Sequence, residues 1–238
     1  MTDEGWTYRS LVLALRPPFT VLTRRDWAGA EHLPPPGVGC LVAANHLSMA
    51  DPLVVAHFLH DNARPPRFMA KASLFDLPVA GRMLRDVGQI PVHRESSNAR
   101  LSVQGALEAL AAGECVVVYP EATLTRDPDL WPMRGKTGVA RIALEAACPV
   151  VPLAQWGAQH LLAPYSKVPH VFPPPRMTVR AGPPVDLSGL AGPRSARALR
   201  EGTDRIMSAI VALLEQIRGE AAPPERFDPG SGTVSRAH

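Results

Sequence analysis

Cys115-Val116-Val117-Val118 is an unbroken apolar run, closed by Gly113 on one side and Pro120 on the other. A strand with one wet face alternates apolar and polar residues, so a continuous run this short suits a strand buried on both faces of a parallel sheet. Cys40-Leu41-Val42-Ala43-Ala44 and Val150-Val151-Pro152-Leu153-Ala154 repeat the pattern. Helical patterns fall between such runs. Pro52 to Leu59 carries Leu53, Val55, Ala56 and Leu59, Ser97 to Ala112 is amphipathic with Gly113 as its stop, and Val139, Ile142, Ala143 and Ala146 share one face of Gly135 to Ala147. Further strands are expected at Arg67 to Lys71, Gln89 to Arg94 and Arg176 to Ala181, and a long helix at Ser195 to Arg218. Strands alternating with helices predict an α/β domain: a largely parallel central sheet flanked by helices.

The ends of those strands carry the chemistry. His46 follows the first, Lys71 and Arg94 end the next two, and Glu121 follows Pro120. Ligands of open α/β sheets bind beyond the carboxyl ends of the strands. His46 and Asp51 stand five residues apart. At about 100° per residue a regular helix would turn them about 140° apart, so they meet only across a bend. Asp51-Pro52 supplies one, because proline suits the first helical position and aspartate the position before it. Asp51 is then either a helix cap beside an exposed loop histidine, or the orienter of a general base.

The first 27 residues form a separate amphipathic segment. Trp6, Leu11, Leu13, Leu15, Phe19 and Val21 alternate with Arg9, Arg16, Arg24 and Arg25, and Pro17-Pro18 is expected to break or kink the helix. Two readings stand: a helix lying in a membrane interface, or one packed on the core. Residues 28–219 make the α/β domain, and the Pro/Gly/Ser-rich residues 220–238 read as a disordered tail.

Composition narrows the function classes. No apolar run reaches the roughly 18–20 residues that span a bilayer, and Met1-Thr2-Asp3-Glu4-Gly5 lacks the basic start of a signal peptide. The expected location is the cytoplasm, peripherally at the inner face of the cell membrane. Three cysteines in apolar stretches read as reduced core residues. A charge of +3 with pI ≈ 9.0 suits an anionic partner such as a phosphate head group, coenzyme A or an anionic membrane. Aromatics at 5% and the lack of a basic block disfavour nucleic acid. No third ligand stands near His46 and Asp51 at metal-binding spacing, so neither a metal nor a cofactor is expected. Oligomeric state is not legible.

From Leu41 to Gln155 the chain resembles the glycerolipid acyltransferase family, typified by lysophosphatidic acid acyltransferase. Asn45-His46-…-Asp51 is similar to that family's histidine-four-residues-aspartate motif. Lys71-Ala72-Ser73-Leu74-Phe75-…-Pro78 with Gly88-Gln89-Ile90-Pro91-Val92-His93-Arg94 resembles its second block. Tyr119-Pro120-Glu121-Ala122-Thr123 resembles its third, and Val150-Val151-Pro152-Leu153 its fourth. Leu130 to Gly138 suggests an actinobacterial-type branch. Two residues depart from the third block: Ala122 replaces a glycine, and Leu124 an arginine that helps hold the acceptor's phosphate.

The resemblance implies acyl transfer from acyl-CoA or acyl carrier protein to the hydroxyl of lysophosphatidic acid, giving phosphatidic acid for phospholipid biosynthesis. His46 is then the general base and Asp51 its orienter, and Ser48 is a loop hydrogen bonder. Lys71 and Arg94 match the acceptor phosphate, and Glu121 meets its glycerol hydroxyl or serves as a structural partner of an arginine. Thr123 belongs to the same block, and Arg126, Arg134 or Lys136 would replace the missing arginine. Other lysophospholipid or phosphoglycolipid acceptors, a thioesterase, and a non-catalytic phospholipid-binding protein are the alternatives.

Overall fold

A computed structural model of the chain describes residues 5–93, 99–190 and 195–228. Seven strands form its sheet: β1 (Arg24–Ala28), β2 (Cys40–Ala44), β3 (Pro66–Lys71), β4 (Ile90–Val92), β5 (Cys115–Val118), β6 (Val150–Trp156) and β7 (Arg176–Ala181). Their order is β1-β7-β6-β2-β5-β3-β4. The five strands from β2 to β6 run parallel, with Cys40 opposite Cys115 and Ala44 opposite Leu153. Strand β7 turns back, antiparallel to β6, and β1, parallel with β7, runs in the same reversed direction. The carboxyl ends of β2 to β6 therefore share one edge of the sheet with the starts of β7 and β1.

Successive side chains of a strand point to opposite faces. Cys40, Val42 and Ala44 lie with Val117, Val151 and Leu153 beneath α2 (Asp51–Asp61), which contributes Val54, Val55, Phe58 and Leu59. Leu41 and Ala43 point the other way, with Val116 and Val150. That face is covered by α4 (Ala99–Ala111), α5 (Gly138–Ala146) and α7 (Ala196–Arg218), through Ala106, Ile142, Ile206 and Ile210. Burial on both faces is the reason β2 and β5 carry no polar residue. Full burial of each large aliphatic side chain here contributes about 1.5–3 kcal/mol.

Three expectations change. Helix α1 (Trp6–Leu22) continues through Pro17 and Pro18, so of the break or kink expected there the break does not occur. No residue of α1 is buried, so the carbonyls that lose an N–H partner to the prolines are open to water. The domain boundary expected after residue 27 cuts through β1, which belongs to the sheet. Its sequence, Arg24-Arg25-Asp26-Trp27-Ala28, hides a strand because an edge strand pairs on one side only. Asp26 forms ion pairs of 2.9 Å with both Arg176 and Arg180 of β7.

The third change concerns the tail. Residues 220–228 dock, while residues 229–238 lie outside the described residues. Arg226 reaches Asp204 and Ser208 of α7, and the Phe227 carbonyl accepts the N–H of Arg134 at 3.0 Å. Just before the tail, the Arg218 guanidinium lies between the rings of Trp131 and Trp156, 4.0 and 4.5 Å from their centroids. Composition alone suggested disorder; paired polar groups hold the segment in place.

Candidate active site

Asn45 fixes the point where the chain leaves β2. Its amide donates to the Gln155 carbonyl at 3.0 Å, and its side-chain oxygen accepts the Gln155 N–H at 2.8 Å. The side chain thus copies a backbone ladder rung after the strand has ended. His46 comes next, and its backbone is gripped from the loop after β5. Its N–H donates to Glu121 Oε1 at 3.0 Å, and its carbonyl accepts the Thr125 N–H at 2.8 Å.

The chain then folds around Asp51. The N–H groups of Leu47 and Ser48 both donate to Asp51 Oδ2, and His46 Nδ1 lies 2.7 Å from that same oxygen. Ser48 Oγ accepts the Ala50 N–H and donates to the Leu162 carbonyl at 2.6 Å, which commits it to the loop. Asp51 opens α2 with Pro52 in the first turn, and its carboxylate reaches back into the loop. The bend required by the five-residue spacing is therefore built from backbone donors converging on one carboxylate oxygen.

Burial pushes the Asp51 carboxyl above the usual aspartate value; His46 and the two backbone N–H groups pull it back by less. Because Asp51 Oδ2 accepts, Nδ1 is assigned the ring proton, which leaves Nε2 as the basic nitrogen. The His46 side chain is 16% exposed while Asp51 is fully buried. The imidazole stacks on the Tyr119 ring at 4.1 Å and 15°. A half-open base above a buried orienter can take a proton from a bound hydroxyl.

The remaining sequence candidates divide. Glu121 is buried, and its second oxygen accepts the Met133 N–H at 2.9 Å. Both carboxylate oxygens accept backbone N–H groups, so Glu121 braces the His46 loop against the loop after β5. Burial lifts this carboxyl to about 8, against the two backbone donors. Arg134 was a candidate for the phosphate, yet it forms an ion pair of 2.9 Å with Asp228. Arg126 is exposed and Thr123 half-buried, both on the loop that Glu121 anchors. Lys71 ends β3, exposed, at the same sheet edge as His46. Arg94 lies outside the described residues. Beside Lys71 a cleft of about 460 Å³ is lined by Ala72, Phe75, Asp76, Arg85, Gln89 and His93.

Both departures in the third block have structural consequences. Ala122 takes a left-handed backbone, φ 61°, a conformation glycine adopts at no steric cost. Leu124 is buried, so the position that would hold an arginine packs inside the loop. Sequence reading missed the Tyr119 stack, the Asn45 clamp and the burial of Asp127. Asp127 is buried, and its Oδ1 accepts the N–H groups of Asp129 and Trp131. Among the described residues, no group of three or more His, Cys, Asp or Glu side chains is placed to hold a metal ion.

Comparison with known proteins bears on this arrangement. The chain is 27% identical over 140 residues to a chloroplastic 1-acyl-sn-glycerol-3-phosphate acyltransferase of Brassica napus, covering 58% of this chain and 39% of that protein. It is 33% identical over 115 residues to the lyso-ornithine lipid O-acyltransferase of Pseudomonas aeruginosa, covering 48% and 42%. The chain thus spans about two-fifths of the length of these relatives. The crystal structure of a 1-acyl-sn-glycerophosphate acyltransferase from Thermotoga maritima has the same fold: TM-score 0.69 and 23% identity, over 90% of this chain and 81% of that one. A family model described as Acyltransferase matches residues 24–156, from the first strand to the end of β6, a span that contains His46, Asp51, Tyr119 and Glu121. The chain belongs to the acyltransferase family.

Proposed function

We propose that this protein transfers a fatty acyl group from a thioester, acyl-CoA or acyl carrier protein, to the free hydroxyl of lysophosphatidic acid. The observation that carries the reading is the 2.7 Å contact between His46 Nδ1 and an Asp51 oxygen already held by two backbone N–H groups. An alcohol is a weak nucleophile at neutral pH. His46 Nε2 takes its proton as the oxygen attacks the thioester carbonyl, and Asp51 stabilises the imidazolium that forms. The carbon–sulfur bond then breaks, and the imidazolium returns the proton to the leaving thiolate. Ester and thiol are the products, and no residue of the chain is acylated.

Lys71 and Arg94 supply positive charge for the acceptor's phosphate, with Arg126 and Thr123 on the neighbouring loop. The relatives' names support an acylated-glycerol phosphate as acceptor. The unburied, amphipathic α1 supports a peripheral position on a membrane, and no described helix is long and apolar enough to cross one. Burial of Leu124 favours a second acceptor class, because the phosphate-holding arginine is missing from that position and one relative is named for a lyso-ornithine lipid.

Thiol release from long-chain acyl-CoA and from acyl carrier protein, with and without lysophosphatidic acid, tests the proposal. Acceptor-dependent release that His46→Ala abolishes is expected. Release with lyso-ornithine lipid alone selects the second class, and acceptor-independent release marks a thioesterase. No release with either donor and any acceptor refutes the enzyme reading.

A further inference from the structure

The loop between β6 and β7 is exposed where a loop of its composition ought to hide. After α6 (Ala158–Leu161) it runs Leu162-Ala163-Pro164-Tyr165-Ser166-Lys167-Val168-Pro169-His170-Val171-Phe172-Pro173-Pro174-Pro175. Phe172 is 88% exposed, Tyr165 67% and Val168 66%. The loop is nonetheless pinned: the His170 N–H donates to the Leu161 carbonyl at 2.7 Å, and Ser166 Oγ accepts the Val168 N–H. Held apolar side chains in water carry an unrelieved hydrophobic cost, and clusters of this kind mark interaction surfaces.

Topology sets where the loop points. It leaves the carboxyl end of β6, the neighbour of β2, so it stands at the edge that presents His46. Two hydrogen bonds tie it to functional elements. Ser48 Oγ, inside the His46–Asp51 turn, donates to the Leu162 carbonyl, and the Arg24 N–H, just beyond α1, donates to the Pro175 carbonyl at 2.9 Å. Exposed Val21 and Leu22 end α1 at that same edge, and exposed Met49 and Leu53 flank Asp51.

Charge selects the occupant. From Gly157 to Arg176 there is no acidic residue, while Lys167 and Arg176 are basic. Helix α1 likewise lacks acidic residues and carries Arg9 and Arg16. Arg16 and Arg176 are paired with Asp61 and Asp26, which leaves Lys167 in the loop and Arg9 on α1 beside the aromatic and aliphatic tips, an arrangement that fits the head-group boundary of an anionic bilayer. We infer that the Leu162–Pro175 loop inserts into an anionic lipid surface as a second docking point beside α1, seating the sheet edge with His46 against the membrane. The inference rests on the reading of the acceptor as a lipid, and it extends that reading from α1 to an element distant in sequence.

The test is co-sedimentation of the full chain with vesicles of phosphatidylglycerol and phosphatidylcholine, and with pure phosphatidylcholine. Val168→Ser/Phe172→Ser, which leaves α1 intact, is expected to weaken binding to the anionic vesicles about tenfold or more, with an unchanged melting temperature. Lys167→Ala should weaken only the anionic component. His46→Ala should bind like the wild type, which separates docking from chemistry. Wild-type-like binding by the double-serine variant would overturn the inference even if the enzyme proves active. Loss of a dimer in the double-serine variant, without loss of vesicle binding, would overturn it in favour of a second copy of the chain. Loop-dependent binding by a protein that transfers no acyl group would leave the inference standing and remove the proposed reaction.

Discussion

Asp51 Oδ2 lies 2.7 Å from His46 Nδ1 while also accepting the N–H groups of Leu47 and Ser48, so one oxygen both shapes the turn and orients the base. The two jobs are separable by substitution. In Asp51→Asn the amide oxygen still accepts the backbone donors, so the turn is expected to survive. The negative charge that stabilises imidazolium is lost. Activity should fall about 10²–10⁴-fold with little change in KM or melting temperature. His46→Ala should fall at least as far, and the double variant no further, because the pair acts as a unit. Additive losses would mean that Asp51 has a catalytic role independent of His46.

Glu121 predicts a pH signature. Its folded carboxyl is raised by burial to about 8, against 4.5 when unperturbed. Below 4.5 both folded and unfolded chains hold the proton, and Glu121 adds no pH dependence. Between 4.5 and 8 the unfolded chain releases the proton while the folded chain keeps it, so stability falls as pH rises. The ceiling is roughly 5 kcal/mol, at about 1.4 kcal/mol per pH unit. Asp51, raised by burial, acts in the same direction, and His57, lowered by burial, in the opposite one. The contrast with Glu121→Gln isolates the glutamate. The variant loses one acceptor for a backbone N–H, a constant cost of about 1–3 kcal/mol. Urea titrations at pH 5, 6, 7 and 8 should show the wild type losing stability relative to the variant. Parallel curves would show that Glu121 stays ionised in the fold.

Ala122 predicts a gain. An alanine held at φ 61° carries a cost that glycine escapes, partly offset by glycine's larger freedom in the unfolded chain. Ala122→Gly should therefore stabilise the protein by about 0.5–1 kcal/mol, read as a higher urea midpoint at an unchanged m-value. A lower midpoint would show that the methyl group packs against something worth more than the backbone strain.

How far these features were legible follows from what each one rests on. The parallel core strands were readable because two-sided burial removes polar residues from Cys115–Val118 and Cys40–Ala44 outright. His46 and Asp51 were readable as base and orienter through the family resemblance, because their five-residue spacing alone left a helix cap beside a loop histidine equally open. Glu121 was visible as a strand-end carboxylate, but its partners are backbone N–H groups of His46 and Met133, which carry no residue identity. The strand β1 was hidden because its pairing is expressed through Asp26 and two arginines far along the chain. Arg134 looked free for a phosphate until Asp228, in a segment read as disordered, was found beside it. Contacts between residues distant in sequence leave no local period to read.

Tyr119 offers the sharpest test of the site's own packing. Its ring stacks on His46 at 4.1 Å, which fixes the plane of the base. Its hydroxyl is buried with no hydrogen-bond partner, and burial, reinforced by the Asp51 charge, holds its pKa well above the usual tyrosine value. Stack and hydroxyl thus pull in opposite directions, and phenylalanine keeps one while deleting the other. Tyr119→Phe should raise stability by up to about 1–3 kcal/mol, the range for an unsatisfied buried hydroxyl. At this chain length that is a rise of several degrees in melting temperature. Its activity should stay within about threefold of wild type. Tyr119→Leu keeps the volume roughly but loses the planar support, and its kcat should fall more than its KM changes. A destabilised phenylalanine variant would mean that the hydroxyl is hydrogen-bonded in solution, and that the polar group beside Asp51 helps to hold the carboxylate.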